Sequence, residues 1–140
     1  MDDEVALLVA DVYELAGILR RLGEALAATE GQTQARWQLL SAISADGMTV
    51  PRAARRLGIT RQAVQRASNE LVSDGLAEFQ ENPDHRTSPL LSPTVDGRRV
   101  LSAINRRAAT AHHRLRESVG TTAIEDTRSG IRQLIAALMQ

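Results

Sequence analysis

Apolar residues recur at steps of three and four along much of the chain, which places them on one side of an α-helix. Long helices are predicted from Val5 to about Ala28 and from Val95 to about Val119. Gly31 interrupts the pattern, and a shorter helix is expected from about Thr33 to Ala45. The inward positions of that shorter helix are Trp37, Leu40 and Ile43.

The two long helices each carry a heptad seam, in which the steps of three and four alternate. The seam positions are Val5, Leu8, Val12, Leu15, Leu19, Leu22 and Leu26 in the first helix, and Leu101, Ile104, Ala108, Ala111 and Leu115 in the second. Such a seam packs either on the rest of its own domain or on a second subunit. The pattern alone leaves both interpretations open.

The boundaries of the C-terminal helices follow from capping residues. Thr94 is expected to cap the helix that begins at Val95, and Gly120 to end it. The spacing Thr122-x-x-Glu125 is a capping box, so a terminal helix is predicted to open there. Its apolar face comprises Ile124, Ile131, Leu134, Ile135 and Leu138.

Between Thr49 and Gly75 the pattern predicts two short helices joined by a tight turn, which is a helix-turn-helix. Thr49 caps the first helix, and Gly58 can adopt the left-handed conformation that ends it. Ile59 is expected to point inward before Thr60 caps the second helix. The inward residues are Ala54 and Leu57 in the first helix, and Ala63, Val64, Ala67 and Leu71 in the second.

The outward face of the second helix suits DNA, because arginine pairs with guanine, and glutamine or asparagine with adenine. Between Thr49 and Asn69 there are five arginines and no acid, while Glu70 and Asp74 fall toward the flank. The candidates for reading bases are Arg61, Gln62, Gln65 and Arg66, with Thr60 and Asn69 on phosphates or outer bases.

After the second helix, Leu76 to Gln80 and Ser88 to Ser92 read as two strands of a hairpin with a polar tip. A hairpin that directly follows a recognition helix is a wing. The tip contains Asp84, His85 and Arg86. Arginine suits a narrow minor groove, so Arg86 is the expected wing contact, with Asp84 orienting it and His85 beside it. The other interpretation is an ordinary solvated loop.

Composition excludes several function classes. The chain has 140 residues, 43% of them hydrophobic, which fits one compact domain or one domain with dimerisation arms. It has no long uncharged apolar segment and an acidic start, so a cytoplasmic protein without membrane contact is expected. Without cysteine there is no thiolate metal site, and the adjacent His112 and His113 point about 100° apart. No enzyme activity, metal or cofactor is therefore expected.

The formal net charge is zero, yet the charges are unevenly distributed along the chain. Residues 1 to 30 contain seven acids and two arginines, whereas residues 49 to 116 contain twelve arginines and six acids. For a DNA-binding protein the distribution matters more than the sum. The basic character coincides with the predicted helix-turn-helix and wing.

The order of these elements resembles the MarR family of bacterial transcription regulators over essentially the whole chain. The similar stretches are ARWQLL at Ala35–Leu40, LGITRQAVQR at Leu57–Arg66, LVSDGLAEF at Leu71–Phe79 and NPDHRTSPL at Asn82–Leu90. The resemblance implies one domain, residues 1–140, mainly α with a small β-wing: a winged helix-turn-helix at about 33–93, with dimerisation helices at about 4–28 and 95–139. Pro93 stands where the family usually has leucine, so the second strand is expected to end early.

The resemblance also implies a homodimer with intertwined terminal helices, which favours the second-subunit interpretation of the seams. The recognition helix would enter the major groove of a near-palindromic double-stranded DNA operator, and the wing the minor groove. The expected function is transcriptional regulation. The protein would be a repressor that a small aromatic effector releases from DNA. The alternative is a winged-helix module that binds another protein, for which an apolar or acidic outer face after Thr60 would be typical.

Overall fold

The computed structural model describes residues 3–140, and the chain divides into two compact units, Met1–Ile104 and Asn105–Gln140. The described residues form six helices and one two-stranded antiparallel sheet, which confirms the mainly α fold with a small β-wing. The elements in order are α1 (Glu4–Ala28), α2 (Gln34–Ile43), α3 (Val50–Leu57), α4 (Arg61–Ser73), β1 (Ala77–Gln80), β2 (Leu90–Pro93), α5 (Val95–Val119) and α6 (Thr121–Leu138).

The core of the first unit is built mainly from α2, α3, α4 and β2. Leu39, Leu40 and Ile43 of α2 are fully buried, and Trp37 packs against them while remaining partly accessible. Thr33 begins α2, since its hydroxyl oxygen accepts a hydrogen bond from the Arg36 amide at 3.2 Å. The prediction of an inward face on this helix is confirmed, although α2 ends two residues before Ala45.

The predicted helix-turn-helix is formed by α3 and α4. Thr49 caps α3, and Gly58 ends it in the left-handed conformation, at φ 69°. The Ile59 amide then donates to the Ala54 carbonyl at 3.1 Å. The Ile59 side chain remains 43% exposed, so the prediction that it points inward is wrong. The turn is closed by backbone hydrogen bonds and does not require this side chain as a plug.

One of the four predicted inward positions of α4 is wrong. Val64, Ala67 and Leu71 are buried as expected, but Ala63 is exposed and Ser68 is fully buried. These buried positions follow the i, i+3, i+4, i+7 spacing of a helix face. The Ser68 hydroxyl is satisfied within the helix because it donates to the Val64 carbonyl at 2.7 Å. A buried serine is therefore tolerated where the polarity of the residue suggested exposure.

The wing is formed by β1 and β2, with Ala77 opposite Pro93 and Gln80 opposite Leu90. The expectation that the second strand ends early is wrong, because β2 extends through Pro93. Proline fits there since it is the last residue of an edge strand. Leu91 exchanges two backbone hydrogen bonds with Met48, at 2.9 and 3.0 Å, which attaches the wing to the segment before α3.

Two of the three boundary features predicted for the C-terminal helices are confirmed, since Thr94 caps α5 and Gly120 directly follows its last residue. The Thr94 hydroxyl oxygen accepts from the Gly97 amide at 3.1 Å and caps α5, as expected. At the start of α6 the capping box is wrong, because Gly120 alone connects the helices and Thr122 already lies in the first turn. The α6 helix begins without a side-chain cap.

Several apolar side chains are exposed. Each is at least 40% accessible: Val5, Leu8, Val12, Leu15, Leu19 and Leu22 in the α1 seam, and Ile131, Leu134, Ile135 and Leu138 in α6. In the α5 seam, Leu101, Ile104 and Ala108 are buried, whereas Leu115 is 52% exposed. In residues 3–140, the α1 seam from Val5 to Leu22 and most of the α6 face are therefore exposed.

Candidate nucleic-acid interface

The outward face of α4 is fully displayed to solvent. Its exposed residues are Thr60, Arg61, Gln62, Gln65, Arg66 and Asn69. The Thr60 hydroxyl oxygen accepts a hydrogen bond from the Ala63 amide at 3.0 Å. Thr60 therefore caps the helix and also faces outward. Because α4 packs its opposite side into the core, this face is held rigidly outward.

Two of these side chains are linked. Gln65 Nε2 donates to Asn69 Oδ1 at 3.0 Å, across one turn of α4. Gln65 keeps its carbonyl oxygen and one N–H free for a further partner. This acceptor and donor complement the N6–H donor and N7 acceptor of adenine in the major groove. Asn69 therefore stands beside Gln65 as its immediate hydrogen-bond partner, a relationship that the sequence pattern did not indicate.

Arg66 has an acidic partner on the same helix. Its Nε lies 3.4 Å from Glu70 Oε1, at i, i+4 spacing, and its side chain is 85% exposed. The same Glu70 also contacts Arg36 of α2 at 3.1 Å. The spacing of Arg66 and Glu70 is visible in the sequence, but Arg36 is 34 residues away and only the fold brings it to Glu70.

The helix face and the wing share one groove of about 520 Å³. Arg61, Gln62 and Gln65 line it from α4, and the wing residues Thr87, Ser88 and Pro89 line it together with Phe79. Phe79 is 37% exposed in β1 and was not among the predicted site residues. The structure therefore brings three of the four candidate base-reading residues of α4 next to the base of the wing, whereas Arg66 does not line this groove.

Asn82 organises the wing tip, although the sequence pattern did not single it out. Its side chain is almost completely buried, at 9% exposure. Nδ2 donates to the Ser88 carbonyl and Oδ1 accepts from the Asp84 amide, each at 3.1 Å. The Asn82 carbonyl also accepts from the His85 amide at 3.1 Å. An asparagine before proline is a known turn signal, so Asn82-Pro83 could have been recognised.

The three predicted wing contacts, Asp84, His85 and Arg86, are all exposed at this tip. Among the ion pairs of residues 3–140, none joins Asp84 to Arg86. Arg86 instead borders an open cavity of about 720 Å³ with Phe79, Asn82 and Pro89. The orienting role of Asp84 stays a prediction, and Asn82 is the residue that fixes the backbone of the tip.

In residues 3–140 no group of three or more His, Asp or Glu side chains is arranged to hold a metal ion. Within the same range, no helix combines the length and the apolar character needed to cross a membrane.

Comparison with known proteins decides the family. The MarR family model matches residues 31–86, from the segment that follows α1 through α4 to the wing tip. A crystal structure of a MarR family transcription regulator is 25% identical, has a TM-score of 0.83, and is matched over 98% of this chain and 93% of its own. The chain belongs to the MarR family. It is a transcription regulator of this family and not an enzyme.

Two curated relatives extend over most of the chain. An uncharacterised protein of Mycobacterium tuberculosis is 61% identical over 138 residues, covering 99% of this chain and 96% of the relative. The transcriptional activatory protein BadR of Rhodopseudomonas palustris is 28% identical, covering 91% of this chain and 74% of BadR. Similarity to these two relatives therefore extends beyond the residues that the family model matches.

Two further solved structures share the fold at lower identity. E. coli MarR, solved as a mutant with operator DNA, is 19% identical with a TM-score of 0.81, covering 94% of this chain and 95% of its own. CouR of Rhodococcus jostii, solved with p-coumaroyl-CoA, is 21% identical with a TM-score of 0.79, covering 94% and 92%.

Proposed function

We propose that this MarR protein is a cytoplasmic homodimer that binds a near-palindromic double-stranded DNA operator and represses transcription until a small aromatic ligand releases it. The observation that carries the proposal is the outward face of α4. Its side chains are arginine and amide groups, all exposed, on a helix whose other side is anchored in the core. Such a face matches the donor and acceptor pattern of base edges in a major groove.

In this proposal each residue of the candidate interface has a distinct role. Arg61, Gln62, Gln65 and Arg66 read bases, and Thr60 and Asn69 contact phosphates or outer bases. Arg86 enters the minor groove beside the operator core, with Asp84 and His85 next to it. The groove that α4 shares with the wing supports a common approach of both elements to one duplex. The structure of E. coli MarR with operator DNA is a precedent within the fold.

The proposed domain organisation is a single MarR domain, residues 1–140. Its winged helix-turn-helix occupies about 33–93, and helices at about 4–28 and 95–139 form the dimer. The exposed apolar residues of α1 and α6 support this assignment, because soluble monomers rarely leave contiguous apolar surfaces of that extent uncovered. A two-fold dimer presents two α4 helices, which is why the operator would be an inverted repeat.

The proposed ligand response follows from linkage: an effector that prefers a subunit arrangement unable to match both half-sites weakens DNA binding by its differential affinity. CouR bound to p-coumaroyl-CoA is one structural precedent for an aromatic group, carried there on a large coenzyme. BadR is named an activatory protein, so the sign of regulation requires its own measurement.

Selection of bound sequences from a random duplex library tests the proposal directly. We expect an inverted repeat whose half-site centres lie about 10 base pairs apart. A reporter gene behind the selected site then gives the sign of regulation, with lower expression expected when the protein is present. Enrichment of no sequence, together with capture of a protein partner by the α4 face, would replace this function with a protein-binding one.

A further inference from the structure

Arg36 is the most completely bonded arginine beside the α4 face. Its side chain is 15% exposed. Nε and Nη2 each lie 3.1 Å from Glu70 Oε2, while Nη1 reaches Asp74 Oδ2 at 2.9 Å and Gln32 Oε1 at 3.3 Å. A largely buried guanidinium needs a counter-charge with good geometry. Arg36 therefore holds the Glu70 carboxylate in a fixed place at the flank of α4.

Glu70 divides its two oxygens between two arginines. Oε2 accepts from Arg36, whereas Oε1 faces Nε of Arg66 at 3.4 Å. Because Arg66 is engaged through Nε, its terminal Nη1 and Nη2 groups stay available. Those two donors form an edge that can bond the O6 and N7 atoms of guanine together. The contact with Glu70 thus orients Arg66 without occupying the groups that would read a base.

An isolated surface ion pair has little orienting power, because both long side chains must lose rotamer freedom to form it. In this protein the entropic cost of ordering the two side chains is not incurred all at once. Arg36 has already ordered Glu70 in the folded protein, so only the Arg66 side chain remains to be ordered. Preorganisation of this kind strengthens a contact by lowering its entropic cost.

We propose that Arg36 and Glu70 are positioning residues that set the specificity of Arg66 for its base pair. The inference rests on the proposed DNA-binding function and adds two residues that do not themselves contact DNA. In addition, the Glu70 carboxylate lowers the general attraction of this flank for phosphates, since a negative charge beside Arg66 opposes non-specific binding. Because this attraction acts on every duplex alike, loss of the Glu70 charge should raise both affinities, whereas loss of the positioning contact should lower selectivity.

The test compares Glu70→Gln with Asp74→Asn. Both variants remove one negative charge and one partner of Arg36, but only Glu70 also contacts Arg66. Dissociation constants are measured at one salt concentration for the selected operator and for an unrelated duplex. The specificity ratio is the dissociation constant for the unrelated duplex divided by that for the operator. For Glu70→Gln we expect this ratio to fall about three- to tenfold, which lies within the coupling energies typical of contacting residues. For Asp74→Asn we expect an unchanged ratio.

A double-mutant cycle separates positioning from general charge. In an Arg66→Ala background, Glu70→Gln should leave the specificity ratio unchanged, because there is no longer a side chain to position. An equal loss of specificity in Glu70→Gln and Asp74→Asn would overturn the inference, as would a Glu70→Gln effect that persists without Arg66. Arg36→Gln should reproduce the Glu70→Gln ratio, in a protein whose folding is confirmed by thermal melting.

Glu70→Asp is the second variant, for use if Glu70→Gln does not fold. It keeps the charge but shortens the side chain by one methylene, so one carboxylate cannot span both arginines. The specificity ratio should again fall, and an unchanged ratio would contradict the proposal. Failure of the DNA-binding function is distinguishable: wild-type protein would then select no operator. Suppose instead that wild type selects an operator and that Arg66→Ala lowers the specificity ratio while the Glu70 variants do not. In that case only the positioning role of Glu70 is excluded.

Discussion

Gly97 lies so close to Leu76 that a Cβ atom at position 97 would overlap the Leu76 carbonyl group. The same carbonyl accepts a hydrogen bond from the Thr94 amide at 3.1 Å, and the Thr94 hydroxyl donates to the Gly75 carbonyl at 2.7 Å. The first turn of α5 is therefore fixed against the segment that leaves α4 and enters β1. This close approach requires glycine for its size and not for an unusual backbone conformation.

Gly97→Ala should consequently destabilise the protein, although alanine normally favours a helix. Overpacking of this kind typically costs about 1–3 kcal/mol, and the contacted atoms are backbone, which cannot turn aside as a side chain would. Urea denaturation measures the change. Gly130→Ala in α6 is the matched control, since a Cβ there meets nothing within 4 Å, and helix propensity predicts a gain of up to about 1 kcal/mol. Equal stability of the two variants would contradict the close packing.

Arg61→Ala and Arg66→Ala should each change which bases the protein prefers. If α4 lies in the major groove, each loses a base contact that contributes about 1–3 kcal/mol on the cognate site. Affinity for non-specific duplex should fall less. The measurement is a titration against operators altered one base pair at a time. A uniform weakening across all operators would show that these side chains contact only the phosphate backbone.

Arg86→Ala at the wing should weaken binding while leaving the preferred core bases unchanged. Its penalty should depend on the width of the flanking minor groove, because arginine responds to the stronger negative potential of a narrow groove. The slope of log affinity against log salt should decrease by about 0.9 per subunit if a phosphate-like contact is lost. Asp84→Ala should give a weaker form of the same defect. A shift in core-base preference would exclude this geometry.

Asn82→Ala should resemble Arg86→Ala in DNA binding through a different cause. Removal of the buried amide leaves the Ser88 carbonyl and the Asp84 amide without their partner, at a cost of about 1–3 kcal/mol. The wing tip then loses its fixed backbone, so flank-dependent affinity should decline. Gln80→Ala is the control, because its exposed amide bonds only to the neighbouring Glu78 side chain. The measurement is nuclease footprinting at the operator flanks. An unchanged footprint in Asn82→Ala would contradict the role of Asn82 in fixing the wing tip.

The protein should sediment at about twice its chain mass of 15.2 kDa at low micromolar concentration, since a two-fold dimer would cover the exposed α1 seam. Leu15→Gln should shift the equilibrium toward monomer, because Leu15 is 47% exposed within one chain and lies on the seam. Glu14→Gln, its exposed neighbour off the seam, should have no such effect. A folded wild-type monomer under these conditions would exclude the dimer.

Local sequence chemistry determined most of the element boundaries. Threonine caps at positions 49, 60 and 94 and the left-handed Gly58 act through hydrogen bonds within a few residues, so they could be recognised without the fold. The outward face of α4 was equally accessible to analysis, because helical periodicity alone separates its arginine and amide residues from the apolar side. The resemblance of the central stretches to the MarR family then indicated transcriptional regulation as the expected function.

Tertiary structure decided what depends on partners distant along the chain. Ser68 and not Ala63 completes the buried face of α4, although polarity suggested the reverse. Ile59 remains exposed in a turn that backbone hydrogen bonds close. Arg36 meets Glu70 and Gly97 meets Leu76 only after α2, α4 and α5 have come together. Neither periodicity nor capping chemistry includes contacts over 21 to 34 residues, so these relationships required the folded chain.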